Sequence, residues 1–205
     1  LIMANEIWTG VHGFSADMLF IPPPNLDLSE KPPSSLKCID GQTYLRSPSI
    51  WFTNLDHGRR HQPLRLMTMA ENLKFSPHKQ IKGKEKYDKY DNYDAIEVPF
   101  TDAIPSDYKG VMGVPISFLS KYNPEQFEIL GATQRGCHEA VPDTKTYDEY
   151  WEVRQDGTRT GSSGGKTNEN ANLVGNDGKK NYFINNKGRV IQSAYQRIFI
   201  LHKGG

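Results

Sequence analysis

The sequence predicts an α+β fold dominated by antiparallel and mixed strands, with few short helices. Three observations point that way. Apolar residues fall in short runs closed off by Gly, Pro, Asn or Asp, not in long stretches with helical spacing. Asp40-Gly41 separates two such runs at hairpin distance. The 205 residues include 18 Gly and 13 Pro, with 36% hydrophobic and 24% charged residues, a loop-rich and rather polar globular composition.

Taken in order, residues 6–11 and 17–21 read as short strands, the second stopped by Pro22-Pro23-Pro24. A Pro- and Ser-rich loop follows to Ser35, and Leu36–Ile39 and Gln42–Leu45 then flank the Asp40-Gly41 turn. Ile50, Trp51, Phe52 and Leu55 mark a buried strand that runs into Gly58, Arg59, Arg60 and His61. Leu64, Leu66, Met67, Met69 and Leu73 fit either a ragged strand or one helical turn. Ala95–Val98 is a strand, Val111–Pro115 a short apolar segment, and Ile116–Tyr122 a short helix stopped at Asn123-Pro124. Phe127–Gly131 resumes a strand. Residues 154–180 hold much Gly, Ser, Thr and Asn and read as a long mobile loop. Strands at 181–184, 189–191 and 197–201 close the chain, and no internal repeat is evident.

Formal net charge is +1, so any nucleic-acid contact depends on where the charges sit. They are segregated. Lys74, Lys79, Lys82, Lys84, Lys86 and Lys89 crowd one stretch with Phe75, Tyr87 and Tyr90 interleaved, and Asp91, Asp94, Glu97, Asp102 and Asp107 follow. Cys38 and Cys137 lie far apart without metal-ligand spacing, which fits a reducing cytoplasm. No apolar run approaches the ~20 residues of a membrane span. The opening Leu1-Ile2-Met3-Ala4 lacks the basic flank of a signal peptide and reads like an entry into something longer.

Several stretches invite chemistry. Gly161–Thr167 resembles a phosphate-binding loop, but Thr160 stands where its first Gly is required, and a flexible loop is the better reading. Asn123-Pro124-Glu125-Gln126-Phe127 approaches the Asn-Pro-Pro-aromatic motif of amino-group methyltransferases, yet Glu125-Gln126 replaces the second Pro; Asn123 reads as a helix stop. His57 and His61 have ligand spacing only on a helix, which Gly58 opposes. Arg59 and Arg60 suit bidentate phosphate contact, against the plainer reading of solvated arginines. Lys79, Lys82, Lys84 and Lys86, with the nearby tyrosines, suit a flexible arm along a nucleic-acid backbone, against a loop kept soluble by its charge. Cys137-His138 is too close in sequence for a catalytic dyad.

Taken together and in order, several blocks resemble the EcoRI-type adenine-specific DNA methyltransferases. They are Ile7–Gly10, Asp17–Phe20, Trp51–His57 with Arg59-Arg60, Tyr90–Val98, Asp107–Pro115, Phe118–Ile129 and Arg197–Ile200. The resemblance implies an S-adenosylmethionine-dependent enzyme that methylates adenine N6 in double-stranded DNA, as part of a restriction-modification system. It also implies that the Gly-rich cofactor loop and the Asn-Pro-Pro-Phe motif lie upstream, so no catalytic, cofactor-binding or metal residue transfers to this chain. The expected organisation is then residues 1–62 as terminal strands of the catalytic methyltransferase sheet and 63–205 as a target-recognition region. On that reading the chain is a C-terminal fragment, inactive alone and without bound cofactor. Its partners are DNA and the missing N-terminal catalytic part of the same protein. Arg154, Arg159 and Asn168 are its candidate base readers. The alternative is a self-contained, non-enzymatic nucleic-acid-binding or protein-interaction module.

Overall fold

The computed structural model describes residues 2–4, 19–46, 50–52, 55–56, 58–132, 143–163, 168, 170–175, 178–192 and 196–204. The chain divides into two compact units, Leu1–His57 and Gly58–Gly205.

In the first unit, β1 (Ile2–Ala4) pairs antiparallel with β5 (Ile50–Phe52). A second sheet has the order β2-β4-β3, from Leu19–Phe20, Gln42–Arg46 and Leu36–Ile39. Asp40 (φ 48°) and Gly41 (φ 80°) are both left-handed, the backbone a two-residue hairpin turn needs, so this hairpin forms where the sequence predicted it. The strand expected over 17–21 is present at Leu19–Phe20, and that over 50–55 at Ile50–Phe52. The strand expected at 6–11 lies outside the described residues. Phe20, Ile21 and Leu55 are exposed.

The second unit is built on two sheets. The first has the order β6-β7-β14-β8, from Ala95–Glu97, Val111–Pro115, Arg197–His202 and Phe127–Ala132. The β6–β7 pair is parallel and the other two are antiparallel. Met112, Val114, Phe118, Phe127, Phe199 and Ile200 form its buried interior, with Phe118 standing edge-on to Phe127 at 5.2 Å.

Across this sheet Glu97, Gly113 and Phe199 oppose one another and share a face. A Cβ at position 113 would stand 2.5 Å from the Tyr90 hydroxyl, so glycine is what lets Tyr90 lie over the strand. The Tyr90 hydroxyl donates to Glu97, and Arg197 donates to the other Glu97 oxygen through Nε at 2.8 Å and Nη2 at 2.6 Å. All three side chains are buried.

The one α-helix described, α1 (Met69–Phe75), settles the choice left open at 64–73 in favour of a helix. Thr68 and Glu71 exchange side-chain and backbone hydrogen bonds in a capping box, and Asp107 accepts from Met69 N at 2.7 Å. Ile116–Lys121 is helical as expected, but of the tighter 3-10 kind, and Asn123 follows with its Oδ1 accepting from Glu125 N at 2.8 Å.

The second sheet corrects the reading of 154–180 as a loop. It is wholly antiparallel, in the order β10-β9-β12-β13-β11, from Arg159–Ser163, Trp151–Val153, Tyr182–Asn185, Gly188–Gln192 and Asn172–Val174. Thus β10 and β11 fall inside the supposed loop. Polar composition misled because Asn, Thr and Ser here complete the structure. Asn92 receives Asn172 N and donates to the Asn170 and Lys145 carbonyls, tying this sheet to the first. Asn168 accepts from Tyr147 N at 2.6 Å and donates to Tyr147 O at 2.8 Å. Tyr147, Tyr150 and Phe183 stack in a ladder beside it.

Candidate nucleic-acid interface

The C-terminus of α1 leads into a tight basic loop whose shape comes from a few buried groups. Ser76 caps the helix, Ile81 is almost wholly buried, and Gly83 N returns to Leu73 O at 2.9 Å. The His78 ring stacks on Phe100 at 3.6 Å and its Nε2 lies 2.9 Å from Asp102. With those side chains turned inward, Lys79, Lys82, Lys84 and Lys86 are left on the outside, all exposed. Of the two forms that its composition left open, a flexible arm or a solvated loop, the segment has the second, a loop held to the body of the unit by these groups.

The interleaved tyrosines are corrected too. Tyr87 is buried and its hydroxyl donates to Ala103 O at 2.7 Å, while Tyr90 lies in the core against Phe199. Burial pushes both phenols well above the ordinary tyrosine range, with repulsion from Asp107 helping at Tyr87 and from Glu97 at Tyr90. Neither ring is available to stack on a base.

The acidic block that follows in sequence leaves Lys79, Lys82 and Lys86 unmatched, because its carboxylates have other partners, Lys89 of the basic stretch among them. Asp91 takes Lys187 at 2.8 Å, Asp94 takes Lys89 at 3.6 Å, Asp102 takes His78, and Glu97 takes Arg197. Asp107 caps α1. Lys84 alone of the four is paired, with Asp88 at 2.5 Å. Lys79, Lys82 and Lys86 have no ion-pair partner among the described residues, and Glu85 stands among them. Of these acids only Glu97 is buried, and the others are engaged at or near the surface, so Lys79, Lys82 and Lys86 are left exposed without a carboxylate of their own.

Arg59 and Arg60 lie in the 3-10 turn Gly58–His61. Gln126 clamps the chain just beyond by accepting from Leu64 N at 2.8 Å and donating to Leu64 O at 2.9 Å. His61 Nδ1 is 3.1 Å from Glu125, which gives this histidine a carboxylate partner. Arg60 is half-buried, and the Arg59 side chain, His57 and Cys137-His138 lie outside the described residues. No cluster of metal-ligating residues occurs among the described residues.

Of the residues expected to read bases, two are spent internally. Asn168 clamps Tyr147 and Arg154 donates to Thr158 Oγ1 and Arg159 O. Arg159 is the third, and its exposed guanidinium lies 4.4 Å from the Trp151 ring centre. Sequence reasoning missed the Trp151 and Tyr182 platforms of the second sheet. The signal was there: Asp156-Gly157 closes a hairpin of a different kind from Asp40-Gly41, a three-residue loop with Gly157 alone left-handed (φ 82°), Gly157 N bonded to Arg154 O and Arg154 N to Thr158 O.

A sequence model of the family described as adenine-specific methyltransferase EcoRI matches residues 1–203. The chain belongs to that family. Among curated proteins, the type II methyltransferase M.EcoRI of Escherichia coli is 42% identical over 132 residues, covering 63% of this chain and 36% of the relative. The type II methyltransferase M.MpnI of Mycoplasma pneumoniae is 37% identical over 134 residues, covering 63% and 38%. The matched part of the chain is thus well under half the length of either relative. No solved structure matches the chain.

A methyltransferase family implies S-adenosylmethionine for the full enzyme, and the described residues do not offer the turn that would hold it. A methyl-donor nucleotide calls for a Gly-rich turn leaving a parallel strand and opening a helix. Among the described residues β6–β7 is the one parallel pair, and β6 runs on into Val98-Pro99-Phe100. The Gly161–Ser163 run belongs to an antiparallel strand. No helix described is long and apolar enough to cross a membrane.

Proposed function

We propose that these residues are the DNA-contacting, target-recognition part of an S-adenosylmethionine-dependent adenine-N6 methyltransferase, and that they transfer no methyl group alone. The observation that carries this reading is the ordered basic loop after α1, where Lys79, Lys82 and Lys86 project from a rigid frame while neighbouring carboxylates are paired elsewhere. A methyltransferase grips the duplex by its phosphates while the target base is extruded, and such a loop suits that grip. Arg59 and Arg60, on a turn braced by Gln126, extend the same role. The cofactor and catalytic motif then belong to a further part of the same protein, and the exposed Phe20, Ile21 and Leu55 of the first unit are surface for that part to cover.

Binding to a duplex, followed as a function of salt, tests the reading. Affinity falls steeply with salt, and Arg59→Ala with Arg60→Ala lowers the logarithmic slope by about 0.9 for each phosphate contact removed. An unchanged slope removes the arginines from the interface. Salt-insensitive, weak binding by the unmutated chain favours the protein-interaction module instead. Transfer of labelled methyl groups to DNA by this chain alone overturns the division of labour.

A further inference from the structure

The second sheet carries a surface that neither the basic loop nor the turn at 58–61 explains. Directly opposed residues of antiparallel strands share a face. Ile184 opposes both Trp151 and Arg189, while Val153 opposes both Tyr182 and Arg159. These six side chains therefore lie on one face. The register sets each arginine diagonally across from an aromatic ring. The Arg159 guanidinium lies 4.4 Å from the Trp151 ring centre, and that of Arg189 lies 3.3 Å from Tyr182.

Among the described residues, charge on this face is of one sign. Glu152 is on the opposite face, where the Thr160 hydroxyl donates to it at 2.6 Å, and Asp156 is spent on Thr158 within its turn. Lys179 and Lys180 are exposed beside it, and Arg189 is steadied by donating to Lys179 O at 3.1 Å. Arg159 differs from Arg189 in one respect. It lies over the indole, but no carboxylate or carbonyl among the described residues takes its N–H groups.

A guanidinium lying over an aromatic ring with free donor edges matches the paired O6 and N7 acceptors of guanine in a major groove, which a two-stranded ribbon or sheet edge can enter. We infer that this face is the base-reading surface for duplex DNA. Arg159 on its Trp151 platform reads a guanine, and Arg189 on Tyr182 contacts the flanking strand. The inference deepens the DNA-contacting reading above and rests on it. It also gives the two basic regions different roles. The lysine loop supplies sequence-independent grip, and the stacked arginines supply discrimination.

The test selects preferred sequences from a randomised duplex library with the unmutated chain and with Arg159→Lys and Arg159→Gln. Arg159→Lys keeps the charge and loses the planar fork. The unmutated chain should enrich a motif containing a guanine. Both variants should lose roughly ten-fold or more of the preference at one position, while Arg159→Lys keeps the nonspecific affinity and salt slope. Trp151→Leu should blur the same position, and unchanged far-UV circular dichroism and melting of Arg159→Lys exclude misfolding as the cause. Retention of the wild-type motif by Arg159→Lys and Arg159→Gln overturns the inference and leaves the DNA-contacting reading standing. Failure of the unmutated chain to bind duplex at all, or preference for single strands, overturns both.

Discussion

At the scale of single residues, the second unit depends on one absent methyl group and one buried ion pair. Gly113 leaves the space into which Tyr90 presses, and a Cβ there would meet the tyrosine ring as well as its hydroxyl, the ring carbon at 2.9 Å. Gly113→Ala should therefore lower stability by about 1–3 kcal/mol, read from urea denaturation. Glu97 and Arg197 are each only 8% exposed in their side chains. Glu97→Gln leaves the guanidinium buried without its countercharge, and a loss of about 3–5 kcal/mol is expected. Replacing both partners by apolar residues of similar volume should recover much of that loss. If the double variant is no better than the single one, the pair is not acting as a unit. None of this was legible in the sequence, since Tyr90, Glu97, Gly113 and Arg197 become neighbours only through the strand order β6-β7-β14.

At the scale of elements, the features that could be read were those that local chemistry dictates. Asp40-Gly41 forces a hairpin by its backbone alone, and Pro124 bounds the turn of helix before it. Asp156-Gly157 also closes a hairpin, with only its glycine left-handed, yet the Gly, Ser and Asn around it hid a sheet. The basic stretch after α1 shows the opposite limit. Its composition identified the lysines correctly as exposed, but nothing local says that Ile81 and His78 pin the loop inward. Because these anchors are separate from the lysines, the charge can be removed without the shape. Lys79→Gln, Lys82→Gln and Lys86→Gln combined should change stability by no more than about 0.5 kcal/mol. The same variant should lose up to ~2.7 from the salt slope of duplex binding, at about 0.9 per phosphate contact. A slope that does not move would assign the loop to solubility.

At the scale of the whole molecule, several buried phenols share one direction of perturbation. Burial raises Tyr87, Tyr90 and Tyr147 above the ordinary tyrosine value. The folded state therefore holds these protons after the unfolded chain would release them. Their contribution is intact below the unfolded value of about 10 and is lost as pH rises through the raised folded values. Thermal melting followed from pH 8 upward should show a plateau and then a fall that starts near pH 10, together with phenolate absorbance appearing in step with unfolding. Of the ten tyrosines, these three should withhold their phenolate absorbance until the chain unfolds; absorbance equivalent to all ten in a still-folded chain would place these rings at the surface. The family was legible because its blocks keep their order along the chain. The division into two units was less so, since the break at His57–Gly58 falls beside a strand-to-turn run that reads as continuous.

The second sheet sits in the sequence between β8 and β14, which are antiparallel neighbours in the first. Topologically it is the contents of a very long hairpin loop, and β8 and β14 keep their register whatever the loop contains. Such a placement makes the sheet an exchangeable cassette. On the base-reading inference, exchange of the stretch from 143 to 192 would change DNA preference while the framing strands stay, provided the incoming segment keeps a partner for the Asn92 side chain that docks it. Sequence divergence among relatives should then concentrate inside the loop and stop abruptly at the two strands that frame it.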